Sequence, residues 1–185
     1  MRYTHRSLWV LPLAAVLARA ASGKDVPYVP TPHEVVDKML VMAEVKEGDV
    51  VYDLGCGDAR IVIAAIQKGA ARGVCVEIEP RLVAEGKANA QRAGVADRIR
   101  FVEGDLFQVP LADATVVTLY LLPSVNRRLR PRLQAELKPG ARVVSHDFDM
   151  GEEWTPEQRV EIPTPGHHHV LYRWTIAPAP AAAKR

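Results

Sequence analysis

A glycine-rich turn after a short apolar run is the segment whose residue types and spacing most clearly indicate chemistry. Asp53 lies near the end of the apolar run, and Gly55 and Gly57 follow it. Glycine has no Cβ, so a ligand can approach the backbone of such a turn closely. The dinucleotide-binding fingerprint requires a third glycine, and this chain has Arg60 there. The turn therefore predicts an adenosine cofactor other than a dinucleotide.

An acidic residue at the end of the next predicted strand extends this candidate site. Glu77 comes 22 residues after Gly55, and at about 20 residues an acid accepts hydrogen bonds from ribose hydroxyls. Glu79 is the alternative acid, although its place beyond the strand favours exposure to solvent. We include the intervening Ile78 among the cofactor-binding candidates.

A second polar turn follows the third predicted strand. It reads Gly104-Asp105-Leu106. The Asp105 carboxylate can accept a hydrogen bond from an adenine amino group, and Leu106 can cover the ring. Taken alone, Asp105 fits a plain turn equally well. Its place at a strand end matching those of Asp53 and Glu77 favours a ligand contact.

The elements that would position these residues alternate between strand and helix. Apolar runs predict strands at 50–54, 73–78, 98–103, 115–122 and 141–145, with helices at 61–68, 80–94 and 124–137 between them. Residues 160–176 read as two strands around a turn at 163–166. This alternation predicts an α/β fold: a three-layer, doubly wound, mostly parallel seven-stranded sheet of the Rossmann-like type, with an antiparallel C-terminal strand. Before the first strand, Thr31 and Glu34 form a capping box that predicts a helix.

The pattern Asp53-x-Gly55-Cys56-Gly57-x-Ala59 is typical of class I methyltransferases that use S-adenosylmethionine (SAM). Longer stretches resemble the protein-lysine methyltransferases of the ATP synthase c subunit and the adenine nucleotide translocase. These stretches are 53–65, 77–83, 105–106, 141–144 and 154–156. The resemblance implies SAM as cofactor and a protein lysine as acceptor. It also implies that Tyr28 and Thr31 close over the methionine end of SAM. Ala59 replaces a glycine that is usual in the family, and we expect its methyl group to be tolerated, with weaker cofactor binding as the alternative.

The acceptor side is expected at the ends of the fourth and fifth strands. Tyr120, His146 and Asp147 lie there, and they are the candidates for a catalytic role, Tyr120 also being a cofactor-binding candidate. Methyl transfer needs positioning and a neutral amine, so no catalytic base is obligatory. His146 could take a proton near neutral pH, or it could be a simple strand-end histidine. Leu-Leu-Pro at 121–123 replaces the Asn/Asp-Pro-Pro-Tyr motif, which argues against methylation of bases or glutamine.

Three other features favour ordinary structural interpretations. The triplet His167-His168-His169 predicts an exposed loop and no metal site, because no nearby Cys or carboxylate completes a ligand set. Cys56 and Cys75 are too few for a disulfide framework and are interpreted as small packed residues, with a redox role as the alternative. Four arginines at 127, 128, 130 and 132 predict a solvated helix face, with an acidic partner as the alternative.

The N-terminal segment predicts a leader at 1–20 that precedes a single domain at 21–185. Arg2 and Arg6 precede an apolar run at 8–18, and Ala-Arg-Ala follows at 18–20, which is the layout of an export signal. Alternatives are an organelle-targeting segment, weak membrane association, or an uncleaved cytoplasmic tail. Without residues 1–20 the chain has 21 basic and 22 acidic residues, so we expect no general nucleic-acid binding.

The sequence therefore predicts a SAM-dependent methyltransferase, with a protein lysine as the expected acceptor. A small-molecule methyltransferase of the same fold and a non-catalytic SAM-binding module are the alternatives. No sequence feature indicates an oligomeric state.

Overall fold

One mixed sheet organises residues 28–178, the part of the chain that this computed structural model describes. The strands are β1 (Val50–Leu54), β2 (Arg72–Glu77), β3 (Ile99–Glu103), β4 (Val116–Leu119), β5 (Arg142–His146), β6 (Gln158–Thr164) and β7 (His167–Thr175). Their order across the sheet is β3-β2-β1-β4-β5-β7-β6. The proposed leader at 1–20 lies outside the described residues.

Strand directions confirm the predicted fold class. β1 to β5 pair in parallel, and β7 enters antiparallel between β5 and β6. The order reverses beside β1, where the connections run outward first to β2 and then to β4. In open α/β sheets a ligand binds at the carboxyl ends of the strands at such a switch point. The topology therefore places the site at the end of β1.

Helices cover both faces of the sheet. They are α1 (His33–Met42), α2 (Arg60–Gln67), α3 (Pro80–Arg92) and α4 (Pro123–Glu136), with a short 3-10 helix at Ala96–Arg98. The helix α2 forms because its apolar residues recur on one face, and these are the ones it buries, among them Ile61 and Ala65.

Alternate side chains along each strand pack into two separate hydrophobic cores, one on each face of the sheet. Val51 of β1 joins the core beneath α1 and α2, whereas its neighbour Tyr52 joins the core that buries Leu129 and Leu133 of α4. This alternation follows from the period of two along a strand. Because both sheet faces are covered, the central strands are rigid supports for the residues at their ends.

The capping prediction at Thr31 is wrong. The residue before α1 is Pro32, and no side chain caps this helix. Thr31 is instead buried, and its Oγ1 lies 3.2 Å from Nδ1 of His146. Pro131 lies exposed within α4, where the carbonyl deprived of its helical partner can bond to water.

The arginines of α4 only partly form a solvated face. Arg127 and Arg128 are exposed, and the Arg128 guanidinium stacks 4.0 Å from the Phe107 ring centroid. Arg130 donates to the Met150 carbonyl at 2.8 Å, and Arg132 donates to the Val109 carbonyl at 2.9 Å. The last two arginines therefore fasten loops to the helix. Across residues 28–178, no helix combines the length and apolar character needed to cross a membrane.

Candidate functional site

A cavity of about 330 Å³ opens at the carboxyl ends of β1 to β4. All twelve residues predicted to bind the cofactor line it. They are Tyr28, Thr31, Asp53, Gly55, Cys56, Gly57, Glu77, Ile78, Gly104, Asp105, Leu106 and Tyr120. Residues from five separate segments thus meet around one space, as the strand-end argument predicts.

The turn after β1 requires glycine for two distinct reasons. Gly55 and Gly57 have φ values of 83° and 54°, a region that other residues seldom adopt. A Cβ on Gly55 would lie 2.8 Å from the Leu121 side chain, and one on Gly57 would lie 2.4 Å from the Tyr28 ring. Because these glycines lack a Cβ, the side chains of Leu121 and Tyr28 can lie directly against the backbone of the turn.

A disulfide bond joins Cys56 to Cys75; both cysteines are buried as expected, but they are not free thiols. The reason is topological: the amides of Gly55 and Cys56 both donate to the Val76 carbonyl, which folds the turn back over β2. The two Cα atoms are 5.3 Å apart, within the usual range for a disulfide. Since Cys56 also lines the cavity, the bond fixes one wall of the site.

The Glu77 carboxylate is buried and is oriented by two backbone amides. Oε2 accepts from the Gly57 amide at 3.0 Å, and Oε1 accepts from the Glu79 amide at 2.9 Å. Each oxygen keeps a further lone pair for a ligand. Glu79 is half-buried and also lines the cavity.

Asp53 has the most perturbed carboxyl group at the cavity. Its side chain is fully buried, and burial raises its pKa to about 7 even though the Thr118 hydroxyl donates to Oδ1 at 2.9 Å. Its Oδ2 has no hydrogen-bond partner within the described residues. A buried acceptor without a partner has a free-energy cost, and a cationic or hydrogen-bonding ligand in the cavity would relieve it.

Residues of the turn after β3 stabilise the turn itself and also line the cavity. Asp105 Oδ1 accepts from the Phe107 amide at 2.8 Å, which is the plain turn contact that we considered. Asp105 and Leu106 nevertheless line the cavity, together with Phe107. The turn contact fixes the carboxylate beside the space that a ligand would fill.

Sequence reasoning missed the ion pair between Asp58 and Arg60, both of which line the cavity. The Arg60 guanidinium contacts the Asp58 carboxylate at 2.6 Å and donates to the Thr31 carbonyl at 2.9 Å. Burial would raise the pKa of Asp58, but Arg60 holds it below its usual range. The pair therefore fastens the segment from Tyr28 to Thr31 over the glycine turn. The i, i+2 spacing of opposite charges within the turn was the available signal.

Ala59 does not line the cavity. It is fully buried with φ 68°, and a Cβ built on Gly86 of α3 would lie 3.1 Å from the Ala59 methyl. The methyl group thus packs between α2 and α3. The structure gives no contact through which Ala59 would weaken cofactor binding.

The three acceptor-side candidates do not share one position. Tyr120 lines the cavity, whereas His146 and Asp147 lie behind it. The Tyr120 hydroxyl donates to Asp147 Oδ2 at 3.3 Å, and its ring centroid is 3.8 Å from that of His146. Burial raises the pKa of Tyr120, and Asp147 adds to the shift, so the hydroxyl stays protonated.

Of the two interpretations of His146, proton acceptor or strand-end histidine, its surroundings favour the second. His146 is fully buried, and burial lowers its pKa to about 4 despite the nearby Asp147 carboxylate. The imidazole is therefore neutral at pH 7, and it is not among the residues that line the cavity. A structural role for His146 fits these observations better than a role as general base.

The histidine triplet forms the start of β7, so the predicted exposed loop is wrong. His167 and His168 are exposed, but His169 is buried. Asp147 Oδ2 lies 3.1 Å from His167 Nε2. The expectation that no carboxylate lies near these histidines is therefore also wrong.

The lining residues fit an adenosine sulfonium cofactor. Asp53 and Glu77, at the ends of β1 and β2, line the cavity, and Oδ2 of Asp53 has no hydrogen-bond partner among residues 28–178. Apolar side chains of Ile78, Leu82 and Leu106 can enclose a planar base. Such a cofactor supplies an activated methyl group, and the protein binds it, orients it and excludes water.

Comparison with known proteins agrees with this geometry. Residues 53–158 match the family model described as ANTKMT methyltransferase domain. A protein-lysine N-methyltransferase of Saccharolobus islandicus (strain REY15A) is 45% identical over 82% of this chain and 94% of its own length. The adenine nucleotide translocase lysine N-methyltransferase of Mus musculus is 38% identical over 81% of this chain, which spans 65% of that relative.

A solved structure is similar over most of the chain. It is described as an RNA methyltransferase from Salinibacter ruber in complex with S-adenosyl-L-homocysteine, the product that SAM leaves after methyl transfer. It shares 54% sequence identity, has a TM-score of 0.76, and covers 85% of this chain and 100% of its own. On its fold, its cavity and these relatives, the chain belongs to the ANTKMT methyltransferase family and is a SAM-dependent methyltransferase.

Proposed function

We propose that this enzyme transfers the methyl group of SAM to the side-chain amine of a protein lysine. The observation that carries the proposal is the similarity, over 94% of its length, to a relative named as a protein-lysine N-methyltransferase. The open cavity mouth supports it, because no inserted domain covers the described residues at the ends of β4 and β5. A protruding lysine side chain can reach such a mouth.

The cavity residues suggest a division of labour in holding SAM. Glu77 would accept hydrogen bonds from the ribose hydroxyls, and Asp105 would accept from the adenine amino group. The unpartnered oxygen of Asp53 would face a donor or cationic group of the cofactor. Tyr28 and Thr31 would cover the methionine end, fastened there by Arg60.

The acceptor amine must reach the site neutral, with its lone pair in line with the bond to the transferred methyl group. It then forms the new N–C bond while the C–S bond breaks, and the electron pair of that bond remains on sulfur. The amine loses one proton to solvent before the attack. Tyr120 lines the cavity and is fixed by Asp147, so we propose that it positions the amine rather than accepts its proton.

RNA is the second candidate acceptor, because the similar Salinibacter ruber structure is described as an RNA methyltransferase. Two observations favour the lysine acceptor. The Asn/Asp-Pro-Pro-Tyr motif is replaced by Leu-Leu-Pro at 121–123. Arg130 and Arg132 are engaged within the protein, which reduces the basic surface that an RNA phosphate backbone would contact.

The test uses tag-free protein of residues 21–185, methyl-labelled SAM and a fractionated extract of the source cells. We expect label in a macromolecular fraction that protease removes and ribonuclease does not. Label removed only by ribonuclease would replace the lysine proposal with the RNA one. Label confined to small molecules would retain the methyltransferase and reject a protein acceptor.

We also propose that the enzyme is exported to an oxidising compartment. The arginine-flanked apolar run at 8–18 supports export, and so does the disulfide between Cys56 and Cys75, since such bonds are rare in a reducing cytosol. The proposal requires a supply of SAM outside the cytosol. Fractionation of source cells with immediate thiol alkylation tests it: a cytosolic protein with two alkylated cysteines would refute it.

A further inference from the structure

A compact group of nitrogen and oxygen ligands lies behind the cavity, where β5 ends beside the start of β7. His146, Asp147 and His169 each offer one ligand atom, and all three atoms lie within 4.8 Å of one another. The side chains of these residues are 0, 12 and 8% exposed. The sheet register brings them together, because His146 pairs with Leu171 of antiparallel β7.

The distances between these atoms lie near those of a tetrahedral metal site. His146 Nε2 is 2.8 Å from His169 Nδ1, and Asp147 Oδ2 is 3.5 and 3.7 Å from the two nitrogens. Bonds of about 2.0–2.1 Å to zinc place tetrahedral ligands about 3.3 Å apart. The three edges scatter around that value. His167 adds Nε2 at 3.1 Å from the same carboxylate oxygen.

Surrounding contacts fix the ligand atoms in the orientation that a metal requires. The Thr31 hydroxyl lies 3.2 Å from His146 Nδ1, so this nitrogen can donate its proton and leave Nε2 as the ligand. Asp147 Oδ1 accepts from the Val170 amide at 2.9 Å, which turns Oδ2 toward the histidines. Asp147 has φ 61°, and such strained residues cluster at functional sites.

Without a metal, the close approach of two imidazole nitrogens requires a proton between them. His146 Nε2 and His169 Nδ1 at 2.8 Å cannot both present lone pairs. A divalent cation can replace that shared proton and satisfy both lone pairs together with the carboxylate. The arrangement is thus suited to hold either a proton or a metal ion.

We propose that His146, Asp147 and His169 bind one divalent transition-metal ion of the zinc class, and that the exposed His167, which already contacts Asp147, supplies a fourth ligand. Imidazole ligands favour Zn²⁺ over Mg²⁺ or Ca²⁺, which prefer oxygen ligands. This site is separate from the SAM cavity and does not depend on the identity of the methyl acceptor.

The position of this site couples it to the SAM cavity. The Tyr120 ring packs 3.8 Å from His146 between their centroids, and the Tyr120 hydroxyl contacts Asp147. Thr31 contacts the same histidine, and both Tyr120 and Thr31 line the cavity. The metal ion therefore holds two walls of the SAM cavity in place.

The test is titration of the tag-free, chelator-treated protein with Co²⁺ and then with Zn²⁺. We expect one equivalent of Co²⁺ to give the visible absorption of a tetrahedral site, and Zn²⁺ to displace it. Asp147→Asn preserves the size of the side chain and should abolish the signal. His167→Ala, at a side chain that is 57% exposed, should fold normally and weaken binding at least about tenfold.

His168→Ala is the matched control. His168 lies between the two proposed ligands on β7 but faces the opposite side of the strand, paired with Pro163 of β6. It is exposed, and its loss should leave the Co²⁺ spectrum and the stoichiometry unchanged. Absence of saturable binding to the parent protein would overturn the proposal, as would binding by Asp147→Asn with the affinity of the parent.

Discussion

The substitution Glu77→Gln tests whether Glu77 binds the cofactor or only stabilises the glycine turn. The carboxylate accepts from the amides of Gly57 and Glu79, and the cavity leaves room for ligand donors. A glutamine has one acceptor oxygen, so it cannot serve two amide donors and a ribose. A hydrogen bond to a charged group contributes about 1.5–3 kcal/mol. The expected loss of SAM affinity is therefore about ten- to hundredfold.

The assay is calorimetric titration of SAM, with urea unfolding in parallel. Glu103→Gln is the matched control, because Glu103 pairs with Glu77 across β2 and β3 but is exposed and outside the cavity lining. We expect parent-like SAM affinity from Glu103→Gln. If Glu77→Gln also binds SAM as tightly as the parent while remaining folded, the assignment of Glu77 to the ribose is wrong.

Three further changes give distinct expected results. Gly57→Ala should weaken SAM binding at least about tenfold, measured by titration, since the added Cβ would lie 2.4 Å from the Tyr28 ring; unchanged affinity would contradict the close approach at this turn. Burial raises the pKa of Asp53 from 3.8 to about 7 in the folded protein. Between these pH values the carboxyl group is ionised in the unfolded chain but still protonated in the folded one, so the folded protein loses stability as the pH rises. Relative to Asp53→Asn, the free energy of unfolding of the ligand-free parent should fall by about 4 kcal/mol over that range, and a difference independent of pH would refute the shift. Reduction of the Cys56–Cys75 bond should lower the free energy of unfolding by about 2–4 kcal/mol and weaken SAM binding, and a reduced protein of equal stability and affinity would show that the bond does not support the site.

The parallel half of the fold and the cavity lining could be predicted from the sequence. Each parallel strand ends at the same edge of the sheet, so a polar residue that follows an apolar run is placed without knowledge of distant contacts. Asp53 and Glu77 lie at the ends of their strands and Asp105 lies just after its strand, and all three line the cavity. The observed bounds of α2 and α3 differ from the predicted ones by one or two residues only.

The remaining features depend on pairings between distant residues that no local pattern encodes. Thr31 looked like a helix cap, but its hydroxyl contacts His146, 115 positions away. Cys56 meets Cys75 because the turn folds back over β2. The cluster that includes His169 depends on the antiparallel register of β7 against β5. A slip of one residue in that register would turn the histidine to the other face of the sheet.

The most direct measurement of the central claim is the identity of the methylated product. Purified protein of residues 21–185 is incubated with methyl-labelled SAM and its extracted protein substrate, and the labelled protein is hydrolysed to amino acids. We predict label in methyl-lysine, and its loss with Glu77→Gln at limiting SAM but not with Glu103→Gln. Label in any other amino acid, or in nucleotides alone, would contradict the assignment of a lysine acceptor.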